Sequence, residues 1–268
     1  MRTISLIAVA VFKESVRDRV PYAMVVFAVL LMAASYLIAQ MTAGQDMKII
    51  KDLGLAALSV FGLFIAVFIG IGLVSKEVEK KSVFGMLSKP VSRTQFVLGK
   101  YAGLVMTLAV NLAVMTIAYF AVLYYMELNS SPAARAAWPA PATDPRLLVA
   151  IGLIFAELML VTALALFFST YSSPLLATLL TIGLWVAGHF NADLRNFENV
   201  VDSAAAAAVA RAAYYILPNL APFDVKAEAV YGVPIAMRSV LLTLAYAAVY
   251  ITTLLTAAIA IFRRRDFK

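Results

Sequence analysis

Six long apolar runs, each bounded by polar or charged clusters, divide the chain: Val20 to Gln40, Leu53 to Val74, Tyr101 to Tyr124, Leu147 to Phe168, Pro174 to about Ala192, and Met237 to Phe262. A helix of about 20 apolar residues, rising roughly 1.5 Å per residue, crosses about 30 Å of hydrocarbon. Each run therefore predicts a membrane-spanning helix. Ahead of the first, Ile4 to Phe12 is apolar but too short to span, and Lys13, Glu14, Arg17, Asp18 and Arg19 follow it. A secretory signal carries its charge first and ends in small residues. Charge placed afterwards predicts an interfacial helix within residues 1–19 that bends at Pro21 into the first span. Such a helix serves as a plain membrane anchor or as part of a docking surface.

Between the second and third runs lies the most polar stretch, Ser75 to Lys100, with six of the 22 Lys and Arg residues. A charged helical start (Lys76, Glu77, Glu79, Lys80, Lys81) leads into Val83, Phe84, Met86 and Leu87 and halts at Pro90. Proline removes a donor and biases Lys89 away from helical angles. Ser92 and Gln95 then have the spacing of a capping box, with Val91 and Phe96 flanking it as a hydrophobic staple. The pattern predicts a helix, a sharp turn and a new helix entering the third span.

The remaining connections carry weaker signals. The second span contains Gly54, Gly62, Gly70 and Gly72, small residues that let helices approach closely. Met126 to Arg146, with Pro132, Pro139, Pro141 and Pro145, reads as extended, irregular chain. Ser169 to Pro174 reads as a tight turn whose hydroxyls satisfy helix ends. Residues 190–236 are too long for a turn and too mixed to span. They predict an alanine-rich helix over Ala204 to Leu217, stopped by Pro218, and a short one around Asp224 to Tyr231, stopped by Gly232 and Pro234. Their aromatic and polar mixture suits an interfacial or re-entrant segment.

Composition turns this pattern into a class. The 268 residues are 63% apolar and 14% charged, with a mean hydropathy of +0.91, outside the range of soluble domains. The fold class predicted is an all-α integral membrane protein forming a single domain, 1–268. There are no cysteines, which excludes disulfides, thiolate metal sites and a cysteine nucleophile.

The net charge of +7 is distributed by side. Residues 2–19, 75–100 and 263–268 hold 14 basic and five acidic residues, whereas the opposite segments hold eight basic and nine acidic ones. This positive-inside asymmetry predicts that both termini and Ser75 to Lys100 face the cytoplasm. No basic cluster alternates with stacking aromatics, so nucleic acid is not the expected partner.

Within the spans, Glu157 is the only ionisable residue near the bilayer centre, where a carboxylate is costly and faces protein or water. Asn111 lies at matching depth on the third span and predicts a hydrogen-bonded pair with it, either structural or part of a translocation path. His189, the only histidine, is a weak metal candidate. No catalytic residue and no metal site are predicted.

From Glu77 to Lys100 the chain reads EVEKKSVFGMLSKPVSRTQFVLGK. This stretch resembles the cytoplasmic coupling segment of type-2 ABC transporter permeases (the ABC-2 family), most strongly the branch that includes permeases of multi-copper enzyme maturation systems. The ALALFFSTYSSP run at Ala163 to Pro174, LPNL at Leu217 to Leu220 and the FRRRDF ending support the likeness, which covers essentially the whole chain. Lys81 departs from it, since many relatives have glycine before the Ser or Thr.

The resemblance implies a bacterial inner-membrane, multi-pass permease of six spans that pairs with a second permease, as a homodimer or heterodimer. It also implies two cytoplasmic ATPase subunits that hold the ATP and Mg, leaving this chain without a cofactor. A coupling helix between spans two and three would dock on the ATPase. Its site residues would be Glu77, Lys80, Lys81, Lys89, Pro90, Ser92 and Arg93. A phosphate-binding loop needs G-x-x-x-x-G-K-[ST]; the Gly99–Lys100 pair is followed by Tyr101 and has Thr94 where the first glycine belongs. The chain is thus expected not to be an enzyme. The function expected is coupling of a partner's ATP hydrolysis to substrate translocation, in the export direction. The alternatives are a secondary transporter or channel using Glu157 as ion or proton carrier, or a membrane-embedded enzyme, which would need a second acid, base or ligand at the depth of Glu157.

Overall fold

The computed structural model describes residues 2–17, 19–40, 46–79, 92–190 and 217–264. Among them the helices are α1 (Arg2–Arg17), α2 (Arg19–Gln40), α3 (Asp46–Glu79), α4 (Arg93–Asn129), α5 (Pro132–Ala136), α6 (Pro145–Ser169), α7 (Pro174–His189), α8 (Lys226–Tyr231) and α9 (Met237–Arg264), with a 3-10 turn at Ala221–Phe223. No strand occurs among the described residues. The protein is an all-α, multi-pass membrane protein.

Among the described residues, five helices are long and apolar enough to cross a bilayer: α2, α3, α4, α6 and α9. The expected sixth, α7, has 16 residues, about 24 Å of helix against about 30 Å of hydrocarbon. It ends at His189 rather than near Ala192. The proposed Ala204–Leu217 helix lies outside the described residues except for Leu217, which is not helical. The reading of Met126 to Arg146 as irregular chain is corrected: α4 continues to Asn129 and α5 follows. Prolines are tolerated there because Pro132 and Pro145 occupy the first turns of α5 and α6, where their missing N–H would have no helical partner.

The bundle is built around α3 and α6. In each, 72% of the apolar span is buried in protein, against 22% in α2, 28% in α4 and 17% in α9, so the last three form the periphery. Helices in lipid gain little from apolar burial alone and associate by close packing at small residues. Gly54 of α3 lies under the Tyr119 ring of α4, and Gly62 lies under Leu158 of α6; a Cβ at Gly70 would stand 2.9 Å from that of Ala165. Threonines within the helices donate back to their own carbonyls, Thr107 to Gly103 at 3.0 Å and Thr162 to Leu158 at 2.8 Å. No span therefore carries an unmatched hydroxyl at these points.

At the end opposite the termini, a buried lysine organises the cap. Lys51 is 1% exposed, and its ammonium donates to the carbonyls of Pro141 (2.6 Å) and Ala140 (3.3 Å). Asp144 caps α6 by accepting from the Arg146 N–H at 2.8 Å and pairs with the Arg146 guanidinium at 3.0 Å. Gly232 closes α8 at φ 69°, and a Cβ there would meet Ala140 at 2.9 Å. Both the backbone angle and the space demand glycine. Between α9 and Leu217–Phe223 lies a cavity of about 320 Å³ lined by Asn219, Pro222, Ser239, Leu242, Thr243 and Tyr246.

At the termini end, α1 lies across the start of α4. Ala8, Val11 and Ser15 form its buried stripe, while Lys13, Glu14 and Arg17 remain exposed. The crossing rests on Gly99 and Gly103, whose added Cβ atoms would stand 2.7 Å from the Ile7 Cβ and 2.6 Å from the Ala8 carbonyl oxygen, respectively. Gly103→Ala is expected to destabilise the protein by about 1–3 kcal/mol through overpacking against backbone. Gly152→Ala, where a Cβ meets nothing within 4 Å, should be neutral or slightly stabilising. Thermal unfolding of the two variants in the same detergent checks the contrast, and equal melting temperatures would refute it.

Candidate functional site: a capped elbow and a buried carboxylate

The elbow begins at Ser92, whose extended backbone (φ −70°, ψ 146°) precedes the first turn of α4. Its hydroxyl accepts from the Gln95 N–H at 3.2 Å, and the Gln95 side chain accepts from the Ser92 N–H at 3.2 Å. The capping box expected from sequence is therefore present, and it satisfies a helix-terminal donor as well as the N–H of the cap itself.

Two further contacts tie the elbow to α9. Arg93 donates to the Phe262 carbonyl at 2.9 Å, one of the last carbonyls of α9 and at the negative end of its dipole. The Phe96 ring stacks on Phe262, with centroids 5.8 Å apart and planes 16° off parallel. Lys100 is 2% exposed, and its ammonium lies 4.9 Å from the Phe96 ring centroid, a geometry in which the ring face attracts the cation. With α1 seated on Gly99 and Gly103, three helices meet at one base.

Of the predicted coupling residues, Ser92 and Arg93 belong to this junction. Glu77 lies near the end of α3. Lys80, Lys81, Lys89 and Pro90, together with the staple residue Val91, lie outside the described residues. Lys100 and Phe262 were not singled out by sequence. Phe262 meets Arg93 across 169 positions, which no local pattern announces, whereas Lys100 lies over Phe96 one turn away on the same helix.

The second cluster surrounds Glu157, midway along α6, with its side chain 2% exposed. The expected partner Asn111 is not the one it meets. Asn111 donates to the Thr107 carbonyl of its own helix at 2.8 Å, a local side-chain-to-backbone bond. Glu157 instead accepts from the Trp185 indole N–H at 2.5 Å, and its Oε1 lies 3.5 Å from His189 Nε2.

Trp185 and His189 are four residues apart and hence on one face of α7, with ring centroids 4.6 Å apart. Because α7 stops at His189, its last turn faces the middle of α6 rather than the bilayer surface. That geometry gives Glu157 a titratable neighbour, which the sequence reading had not found for it. The W-x-x-x-H spacing was the available signal. Beyond them, the Asp224–Lys226 pair (3.4 Å) contributes the next charges acting on Glu157.

The end of α7 is held in turn by Leu217–Phe223. The Leu220 N–H donates to the Gly188 carbonyl at 3.0 Å, and a Cβ on Gly188 would collide with the Pro218 carbonyl oxygen and Leu220 Cγ, both at 2.8 Å. The Asn219 N–H donates to the Tyr246 hydroxyl of α9 at 2.9 Å. A polar chain thus runs from the centre of α6 through α7 to α9. Among the described residues, no group of three or more His, Asp or Glu side chains is placed to hold a metal ion.

Residues 6–267 match the model of a family described as ABC-2 family transporter protein. No curated protein matches the chain.

Replacing Ser92 by Ala removes one half of the box and should cost about 1 kcal/mol of local helix stability. Hydrogen exchange at the Gln95 amide is the direct readout: we expect roughly fivefold faster exchange with no change at Leu108. An unchanged rate at Gln95 would show that the cap is not limiting there.

Proposed function

The chain belongs to the ABC-2 family of transporter proteins, and from that premise we propose that it is the membrane-spanning permease subunit of an ATP-driven exporter. In this reading the basic end faces the cytoplasm of a bacterial cell, both termini included. Two copies of the chain, or this chain and a related permease, assemble with two cytoplasmic ATPase subunits that hold ATP and Mg. The segment from about Lys76 to Leu87, whose first residues end α3, docks on the ATPase, with Glu77, Lys80 and Lys81 as polar contacts. Lys89, Pro90, Ser92 and Arg93 pass its displacement into α4.

The observation that carries this reading is the way α4 is held at its base. A helix of 37 residues is a rod of about 55 Å. It is capped at Ser92, latched to α9 through Arg93, and crossed by α1 at Gly99 and Gly103. Toward its far end Tyr119 fills the space over Gly54 and donates to the Lys51 carbonyl at 3.4 Å. Motion applied at the base of such a rod reaches the far cap without being lost in a flexible joint. A loosely connected loop would dissipate it.

A second reading, transport driven by an ion gradient with Glu157 as carrier, draws on the contact of Glu157 with His189. Co-expression with a candidate ABC ATPase separates the two. We expect a stable complex whose ATP hydrolysis depends on the permease. Arg93→Ala should lower that coupled hydrolysis by about tenfold, equivalent to about 1.4 kcal/mol of coupling. Glu77→Ala and Pro90→Ala should weaken coupling without preventing insertion. Purification without any ATPase, together with gradient-driven transport in the absence of ATP, would overturn the lead reading.

A further inference from the structure

The hydrogen-bond partners of His189 constrain where its protons are. Nδ1 lies 3.0 Å from the Trp185 carbonyl oxygen, which can only accept, so Nδ1 carries a hydrogen. In a neutral ring Nε2 then presents a lone pair, yet it faces Glu157 Oε1 at 3.5 Å. A lone pair directed at a carboxylate oxygen is repulsive. The contact is attractive only if one further proton sits on the pair, as an imidazolium beside a carboxylate or as a neutral imidazole beside a carboxylic acid. Both forms are neutral overall, which a buried membrane site tolerates and a net negative charge does not.

Among the described residues, no other neutralising charge is in direct contact with the pair. From α7 come the indole N–H of Trp185 and His189 itself; from the chain before α8 and from α8 come Asp224 and Lys226, already paired at 3.4 Å. The spans packed against α6 are uncharged near it: Leu53–Ile71 of α3, Tyr101–Met126 of α4 and Ser239–Phe262 of α9 contain no Asp, Glu, Lys, Arg or His. Their titratable groups are tyrosines, among them Tyr101, whose hydroxyl donates to the Met159 carbonyl at 3.2 Å, and Tyr246 and Tyr250 of α9.

We propose that Glu157 and His189 form a proton-binding site in which a single bound proton holds the end of α7 against α6. Occupied, the site keeps Gly188 in place to receive the Leu220 N–H and so fixes Leu217–Phe223 against α9. Emptied, it leaves one negative charge in the bundle, with Lys226, paired to Asp224, as a described cation acting on it. The described arrangement binds the proton, so it is favoured at low pH and lost as pH rises through the transition. The binding itself does not depend on which energy source drives transport. Only its consequence, a pH-sensitive joint in a transport subunit, rests on the function proposed above.

Trp185 is the natural reporter because its ring lies against His189. The chain has two tryptophans, so Trp138→Phe leaves Trp185 alone. The full-length chain carrying this change, in lipid nanodiscs without ATPase, is titrated from about pH 5 to about pH 9, the range in which imidazole ordinarily changes charge. We expect one single-proton transition in Trp185 emission. It should vanish in His189→Gln and move by at least about one pH unit or vanish in Glu157→Gln, one unit being the response to losing a close charge partner.

The double variant Glu157→Gln/His189→Gln keeps hydrogen-bonding side chains at both positions while removing both titrations. Monodisperse gel filtration confirms that it is folded, and it should show no transition. Absence of any transition in the parent, or an unchanged one in Glu157→Gln, overturns the site. Failure of the chain to bind an ATPase leaves this titration unaffected, so the two ideas fail separately.

Discussion

Close approach of helix backbones at residues without a Cβ is the constraint on which this bundle depends. In hydrocarbon, moving a leucine from lipid to a helix interface gains little, because lipid tails are as apolar as the interface. What remains is short-range dispersion, which weakens rapidly when surfaces separate by a fraction of an ångström. Gly54, Gly62 and Gly70 bring α3 against α4 and α6, and Gly99 and Gly103 bring α1 onto α4. The most buried helices, α3 and α6, are thus held by shape, and the exposed ones by their contacts with those two.

Polar groups in such a bundle must find partners inside it, since neither lipid nor bulk water is available to them. The far half of the protein is organised by that need. Lys51 is satisfied by two loop carbonyls, and this draws Ala140 and Pro141 down onto α3. Glu157 is satisfied by Trp185 and His189, and this anchors the 16-residue α7. The end of α7 then bonds backbone to backbone with Leu220, which is itself buried. The Asp144 cap and the left-handed Gly232 complete a cover whose parts all touch the starts of α3 or α6.

The termini end solves a different problem, how to make a joint stiff where the chain enters the membrane. Ser92 stiffens α4 along its own axis, while Arg93 and Phe96 fix it laterally to α9 and α1 fixes it on another side. Each contact is modest, on the order of 1 kcal/mol for a cap or an aromatic pair. Acting in different directions on one helix end, they remove separate degrees of freedom. They give α4 a stiff base where it meets α1 and α9.

The amino-acid sequence by itself determined what depends on short-range physics. Apolar run length identified five of the spanning helices, and the spacing of Ser92 and Gln95 identified the capping box, because both ends of that interaction lie within one turn. Gly232 likewise announced the end of α8. Glycines at Gly54, Gly62 and Gly70 indicated that α3 would be closely packed, but not against which helix. The tertiary structure alone decided the partners. Glu157 and Asn111 share a depth, yet depth does not state which faces of α4 and α6 look at each other. Asn111 found a carbonyl on its own helix, and the face of Glu157 turned to α7 instead. The end of α7 was decisive there: stopping at His189, it brings an imidazole against the middle of α6. Arg93 and Phe262 are far apart in sequence and meet only because α4 and α9 are neighbours, a property of the packed bundle that no single segment encodes.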